Sequence, residues 1–385
     1  MTLLLKFSRI ENLFKMKIFR YLSRIIIGLV FIFSGVVKAI DPLGSAYKFH
    51  DYFQAFHLNF LDNLCLPLAI VLCTAEFISG FSVLTGFRAK AGLTGVTILL
   101  IIFTPLTFIL ALTNPVTDCG CFGDAIHLTN WETFIKNLIL FALLVILYGE
   151  KIQSEKPINK TKQWAVIFAA IFLFIMFSLA NLRYLPVVDF LPYKTGVKIA
   201  DKMVFPAGVP ADQYNTTFIY EKNGIKKEFN LTNYPANDST WKFVEQKSVL
   251  IKKGYRPPIH DFIITSVGGE DITQQILSFP GYTVLMISNK LVEAGKNHLS
   301  AGFNLGKYSE ANGIKFYILT SSGTEEVKRY DNGLSFCSAD ETTLKTMIRA
   351  NPGYILLKNG IILGKWSWAN LPEAEWFGKQ LMLNK

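Results

Sequence analysis

The chain of 385 residues carries five cysteines, Cys65, Cys73, Cys119, Cys121 and Cys337. Two of them stand one glycine apart in TDCGCFGD, residues 117–124, fenced by Asp118 and Asp124. The α carbons of a C-x-C pair are close enough to bridge, and the small ring strains the bond and makes it more oxidising. Gly120 supplies the backbone freedom this needs. A third thiol, Cys65, is expected at the same membrane surface, from which it attacks the bridge and passes the exchange onward. Two other readings stay open: a structural staple or pair of packed thiols, and a metal site. For the last, a soft ion such as Cu(I) suits the residues better than zinc, whose paired cysteines usually stand farther apart, even with Asp118 and His127 nearby. No resident metal is assigned.

Glu76 is the second chemical candidate. It lies about 18 Å below the exterior end of its apolar segment by helical rise, near the bilayer middle, where an ionisable group is expensive and points to function. It is expected to face the bundle interior, protonated or partnered, as a proton site or as a hydrogen bond between helices. Cys73, three residues earlier, shares its helix face. Lys38 is the nearest cation in sequence and reads as snorkelling to the surface. Phe49, Phe53, Phe56 and Phe60 recur at helical spacing and suggest a short interfacial helix, with His50 and His57 on its solvated side.

These residues must be positioned by membrane segments. Hydrophobic residues make up 51% of the chain and charged ones 18%, too apolar for an ordinary soluble enzyme, and the apolar excess sits in the first half. Five runs reach spanning length: residues 23–40, 64–87, 92–113, 131–148 and 164–182. Glu132 and Lys136 interrupt the start of the fourth. Lys6, Arg9, Lys15, Lys17, Arg20 and Arg24 precede the first run, Arg88 and Lys90 follow the second, and Lys151, Lys156, Lys160 and Lys162 follow the fourth. The bias of such residues toward the cytoplasm places those segments inside. TDCGCFGD and everything after Arg183 then face the exterior, an oxidising compartment. The net charge of +10 is thus partly a topology signal, and nucleic-acid binding is not expected. No cleavable signal peptide is expected, because the first apolar run lacks a small-residue cleavage site. Met16 is a second candidate start.

The exterior half divides again. Residues 183–254 are rich in strand formers, with a hairpin turn expected at Asn223 and Gly224, and carry no evident chemistry. Beyond them come an opening strand at 261–265, strand 282–288, a helix at 298–312, strand 314–320, helices near Glu325 and at 341–350, a hairpin turned at Asn359 and Gly360, and a final helix. Cys337 in SFCSAD reads as a buried core thiol. Trp366, Trp368 and Trp376 read as core.

The motifs FSGVVKAIDP (Ser34, Gly35, Lys38, Asp41, Pro42), AEFISGFSVLTG (Glu76, Gly80, Gly86) and DCGCFG (Cys119 to Gly123) together resemble the four-span DoxX/MauE family of membrane proteins over residues 20–150. The resemblance implies thiol–disulfide chemistry, help with disulfide formation in partner proteins, and electron exchange with a quinone. The strand and helix order of residues 255–385, with Pro352 in NPGYILLKNG at the cis-proline position, resembles the thioredoxin fold in its TlpA/peroxiredoxin-like form. The segment SNKLVEAGKNHL, where that fold carries C-x-x-C after a core strand, holds no cysteine, so dithiol chemistry is not expected in this domain.

The reading is an α-helical membrane bundle, four DoxX/MauE-like spans plus a fifth, followed by an α/β thioredoxin-like exterior domain. Its parts are a basic cytoplasmic N-terminus (1–22), the four-span domain (23–150), a basic cytoplasmic loop (151–163), the fifth span (164–182), a β-rich segment (183–254) and the thioredoxin-like domain (255–385). The expected function is thiol–disulfide exchange or electron transfer at the bacterial cytoplasmic membrane, with Cys119, Cys121, Cys65 and Glu76 as the working residues, a quinone as the possible cofactor, and the lipid bilayer and exterior proteins as partners. The alternative is a non-enzymatic scaffold whose inactive thioredoxin-like domain binds envelope partners.

Overall fold

A computed structural model gives the three-dimensional arrangement. It describes residues 2–116, 118–148, 159–206, 208–210, 213–222, 224–230, 233, 235, 238, 240–252, 254–255 and 257–375. The turn residue Asn223, the lysines Lys151 and Lys156, Trp376 and the final helix lie outside this set.

Helix α1 spans Thr2–Ile40, α2 Pro42–Ala55, α3 Cys65–Thr85, α4 Ala89–Thr113, α5 Asn130–Tyr148 and α6 Lys160–Tyr184. Five described helices are long and apolar enough to cross a membrane, with limits Met16–Ile40, Asn59–Thr85, Ala89–Thr113, Asn130–Tyr148 and Lys160–Tyr184. Their ends follow from local chemistry. Asp41 caps α2 by accepting from the Gly44 amide at 2.8 Å, with Pro42 at the first helical position. Gly86, at φ 86°, closes α3 in the left-handed conformation. Glu132, which interrupts the apolar pattern of α5, belongs to a capping box: its carboxylate accepts from the Thr129 amide at 2.8 Å, and its own amide donates to the Thr129 hydroxyl at 3.2 Å. Helix α2 takes only Phe49 and Phe53 of the four expected phenylalanines, because the chain leaves the helix at Ala55 and His57 adopts a left-handed φ of 57°.

Helices α1 and α3 meet through glycine. A Cβ on Gly80 would stand 2.7 Å from the Gly28 carbonyl oxygen, and one on Gly35 2.7 Å from the Cys73 carbonyl oxygen. Small residues at such a seam let backbones approach within a membrane bundle. Ile27, Phe31, Val83, Val96 and Leu144 fill the space between α1, α3, α4 and α5.

Beyond the short α7 (Ile199–Met203), β1 (Gln213–Lys222), β2 (Ile225–Asn230) and β3 (Lys242–Lys252) form an antiparallel sheet in the order β2-β1-β3. The remaining elements are β4 (Thr265–Ser266), α8 (Thr273–Leu277), β5 (Tyr282–Ile287), α9 (Lys296–Ala311), β6 (Lys315–Thr320), α10 (Thr324–Arg329), β7 (Ser335–Ser338), α11 (Glu341–Met347), β8 (Gly353–Lys358) and β9 (Ile361–Ser367). Their sheet has the order β4-β7-β6-β5-β8-β9. Strands β5, β6 and β7 run parallel, and β8 and β9 return antiparallel. Strand β5 alternates between two cores, sending Leu285 and Ile287 to one face and Val284 and Met286 to the other. A central strand buried on both faces and a terminal β8–β9 hairpin define a thioredoxin-like α/β domain. The Asn351–Pro352 peptide is cis, and Asn359 (φ 50°) and Gly360 (φ 72°) make the hairpin turn.

Two expected elements are shorter than the sequence suggests. The opening strand is confined to Thr265–Ser266, because Phe262 and Ile264 pack into the core from an extended segment outside the ladder. Helix α11 stops at Met347, three residues before Ala350, where the backbone extends toward the cis peptide. Cys337 is buried in β7, and burial pushes its thiol up to about 11. Trp366 packs against one core and Trp368 stacks on His298 with ring centroids 3.9 Å apart.

Candidate functional site

The loop holding Cys119 and Cys121 follows α4 and doubles back through two left-handed glycines, Gly120 (φ 64°) and Gly123 (φ 53°). The two sulfurs are free thiols 3.1 Å apart, within hydrogen-bonding contact. Each cysteine carbonyl is anchored from below. Tyr52 on α2 donates its hydroxyl to the Cys119 carbonyl at 2.6 Å, and Lys38 on α1 donates to the Cys121 carbonyl at 2.7 Å. Asp118 accepts from the Gly120 amide at 2.9 Å and pairs with Lys48 at 3.0 Å, fixing the start of the loop.

Glu76 comes to the same place from α3. It is 6% exposed and forms an ion pair with Lys38 at 2.8 Å. The Ser34 hydroxyl lies 3.0 Å from Glu76 and 2.7 Å from the Cys121 carbonyl, and accepts from Lys38 at 2.7 Å. Lys38 therefore does not snorkel. It is buried because its three protons are taken by a carboxylate, a hydroxyl and a loop carbonyl, which compensate its desolvation. The spacing of Ser34 and Lys38, one helical turn apart, was the available sign that both face one way.

A narrow cavity of about 90 Å³ runs from this polar cluster between the helices. Cys119 and Cys121 line one end; Phe31, Leu72, Leu100, Phe103 and Leu140 make apolar walls. Lys136 on α5 also lines it and stacks 4.6 Å above the Phe122 ring. In the sequence Lys136 shows only as an interruption of the fourth apolar run. The Cys119 thiol lowers the pKa of Cys121 by hydrogen bonding, with Lys136 and Lys38 adding positive potential, while that same bond and burial raise Cys119. Of the two, Cys121 is the one held toward the thiolate.

Cys65 is not brought to the pair. It is buried at the start of α3 and lines a second cavity with His50 and Asp62. Helix α2 stands between: Lys48, Phe49 and Tyr52 face the first cavity, and Tyr47, His50 and Gln54 the second. His50, expected to be merely solvated, contacts Asp62 at 3.1 Å.

The loop is also fastened to the thioredoxin-like domain. Arg349, just past α11, reaches Asp124 at 2.8 Å and Asp41 at 2.7 Å. Both Asp41 and Arg349 are buried, so the charges that join the two halves lie out of water.

The fold and site define a multi-pass membrane protein whose helical half holds a C-x-C loop against a buried lysine–glutamate pair and whose other half is thioredoxin-like. Residues 16–149 match the family described as "Methylamine utilisation protein MauE", and residues 214–253, the sheet β1–β3, match "Domain of unknown function (DUF8463)". "Protein TlpB" of Flavobacterium psychrophilum is 30% identical over 131 residues, which are 33% of this chain and 36% of that protein. The match thus spans about a third of that relative's length. StoA from Bacillus subtilis aligns at 17% identity and a TM-score of 0.24, covering 31% of this chain and 93% of that structure. The chain joins a membrane half similar to MauE over residues 16–149 to a thioredoxin-like half.

Proposed function

We propose that this protein is a thiol–disulfide oxidoreductase of the bacterial cytoplasmic membrane, with its N-terminus cytoplasmic and the C-x-C loop and thioredoxin-like domain in the periplasm. The observation that carries this reading is the contact of Cys119 and Cys121 at 3.1 Å at the polar end of an apolar cavity. Lysine and arginine at alternate connections support the orientation.

In the working step the Cys121 thiolate and the Cys119 thiol become joined, giving up two electrons and the one remaining thiol proton. Glu76, through Ser34, lies within one hydrogen bond of the loop carbonyl and serves as the nearby proton acceptor, while Lys38 and Lys136 keep the surroundings positive. A quinone fits the chemistry of the lining, with apolar side chains for its isoprenoid body and Lys136 as a donor to one of its oxygens; when bound it would supply a two-electron, two-proton acceptor. Exterior proteins supply the dithiols that re-reduce the pair. The thioredoxin-like domain, with Ser288, Asn289 and Lys290 after β5, acts by positioning partners.

The test is the thiol state of the purified protein after equilibration in a series of redox buffers, read by alkylation and mass mapping. Interconversion of the pair near or above about −200 mV, where oxidising exchange proteins lie, supports the reading. Thiols that stay free in every buffer, or a bridge that resists reduction, overturn it and leave the scaffold reading.

A further inference from the structure

Cys65 stands among atoms of the kind that bind metal. Asp62 and Cys65 are three residues apart where a 3-10 turn, Asn59–Leu64, runs into α3, and the Cys65 amide donates to the Asp62 carbonyl. His50 reaches them from α2, with its Nδ1 3.1 Å from a carboxylate oxygen of Asp62. One ring nitrogen of His50, one oxygen of Asp62 and the Cys65 sulfur fall within 4.8 Å of one another. Bonds of about 2.0–2.3 Å to a tetrahedral zinc ion put neighbouring ligand atoms about 3.3–3.6 Å apart. The imidazole–carboxylate edge is already near that length. The largest separation in the group exceeds it by at most about 1.2 Å, within the reach of a side-chain rotation.

The surroundings suit a bound cation. Gln54, one turn on in α2, stands 2.8 Å from the other ring nitrogen of His50. With Nδ1 on a metal, Nε2 carries the ring proton, and a half-turn of the amide offers it the Gln54 oxygen as acceptor, the support that ligating histidines ordinarily have. Among the described residues no lysine or arginine pairs with Asp62; its ionic contact is with His50. Lys290 and Lys345, which line the same cavity, are taken by Glu293 and Glu341. A carboxylate held against a buried thiol, with no fixed cation beside it, is a place where a divalent ion supplies the charge. The cavity of about 620 Å³ gives the ion a way in and leaves room for water as a fourth ligand.

We propose that His50, Asp62 and Cys65 form a zinc site, three protein ligands and one water, that fastens α2 to the start of α3 beside the thioredoxin-like half. The ligand types choose the ion. A thiolate disfavours Mg²⁺, Ca²⁺ and Mn²⁺, a carboxylate disfavours Cu(I), and a mixed nitrogen, oxygen and sulfur set suits Zn²⁺. Binding expels the thiol proton to solvent and leaves the imidazole proton on Nε2; no electrons are transferred. The sulfur then belongs to the metal, so Cys65 is withheld from disulfide exchange. Helix α2 already separates it from Cys119 and Cys121 in space, and the ion separates it in chemistry. The site stands whether or not those two cysteines cycle between thiol and disulfide.

The experiment uses the full-length protein in lipid nanodiscs with Cys119→Ser and Cys121→Ser, so that metal on the paired thiols has no part in the result. The protein is stripped with chelator, loaded with Zn²⁺ or Co²⁺, and passed through gel filtration. The expected result is one retained ion per chain by elemental analysis. The cobalt form should show a thiolate-to-metal charge-transfer band and visible bands of tetrahedral intensity, and loading should slow alkylation of Cys65, mapped by mass, at least about tenfold until chelator is added. Cys65→Ser should abolish the charge-transfer band, and Asp62→Asn should weaken binding. Gln54→Ala, which keeps all three ligands, should weaken it about ten- to hundredfold, with Gln54→Glu restoring it. Melting temperatures of the metal-free variants show which of them still fold, and Gln54→Ala, a change at an exposed helix position, is the variant expected to match the parent. No retained ion, an ion retained equally in Cys65→Ser, octahedral cobalt without the sulfur band, Cys65 alkylation indifferent to zinc, or unchanged affinity in Gln54→Ala would each overturn the proposal.

Discussion

The guanidinium of Arg349 donates to the carboxylate of Asp41 at 2.7 Å across 308 residues of sequence. Asp41 caps the helix that follows the first span, and the same arginine holds Asp124 at the end of the C-x-C loop. One side chain therefore clamps the thioredoxin-like domain to both the helix and the loop. Arg349→Met leaves two aspartates facing each other in a buried place. Removing one partner of a buried pair costs about 3–5 kcal/mol. The expected outcome is a lower melting temperature, with faster proteolytic release of the thioredoxin-like domain. Asp41→Asn together with Asp124→Asn in the Arg349→Met background should recover much of the loss.

Lys38 and Glu76 make the corresponding pair inside the bundle. Lys38→Met strands Glu76 without its cation and removes one of the two donors to the Cys121 carbonyl, leaving Ser34, so it should destabilise the protein by about 3–5 kcal/mol and loosen the loop. Denaturant titration in detergent measures the first effect, and the rate of Cys121 alkylation the second. The double change Lys38→Met with Glu76→Leu should be more stable than Lys38→Met alone. With Glu76→Leu alone completing the cycle, a double change that costs the sum of the two single changes would show that the pair carries no coupling.

The two thiols should separate by pH. Alkylating reagents attack the thiolate, so a lowered pKa preserves reactivity as pH falls and a raised one delays it as pH climbs. Cys121, lowered by the bond from Cys119 and by Lys136 and Lys38, should alkylate with a midpoint below the ordinary thiol range, about 8.5. Cys119 should react only above that range. Cys119→Ala removes the largest lowering influence, so the Cys121 midpoint should rise; Lys136→Gln should raise it by less. Rates followed by mass mapping across pH give both curves.

The glycine seam gives a stability prediction. A side chain at Gly80 would meet the Gly28 carbonyl oxygen and the Ile32 amide nitrogen at 2.7 and 2.8 Å, both of them backbone atoms that cannot rotate away. Gly80→Leu should separate α1 from α3 and cost about 1–3 kcal/mol or more, read as a drop in melting temperature. Gly323→Ala at the surface, where nothing lies within 4 Å and φ is −66°, is the control for adding a side chain where there is room.

Much of this architecture was legible in the chain. The division into membrane and α/β halves follows from where apolar residues run long enough to span, and the β8–β9 hairpin from Asn359 and Gly360 between two strand-forming runs. The C-x-C loop and Glu76 stood out because their residue types are costly where they lie. What the chain hid is azimuth. Helical rise put Cys65 at the height of the paired cysteines, but the side of α2 on which it emerges depends on how three helices turn about their axes. Lys38 misled for a related reason, since a lysine near a span end looks the same whether it reaches outward or turns in to a carboxylate 38 residues away. Arg349 gave no signal at all, because its partners come from the other half of the molecule.

The contact of α1 with α3 has a mechanical consequence. Where backbone meets backbone through Gly28, Gly35 and Gly80, there is no side chain to reorient and no slack to absorb sliding, so the two helices behave as one plank carrying Ser34, Lys38 and Glu76 in fixed register. The apolar slot beside them has a volume of about 90 Å³. The facing wall is made of Leu100 and Phe103 on α4 and Leu140 on α5. The slot thus has one wall locked by backbone contact and bearing the buried ion pair, and a facing wall of hydrocarbon.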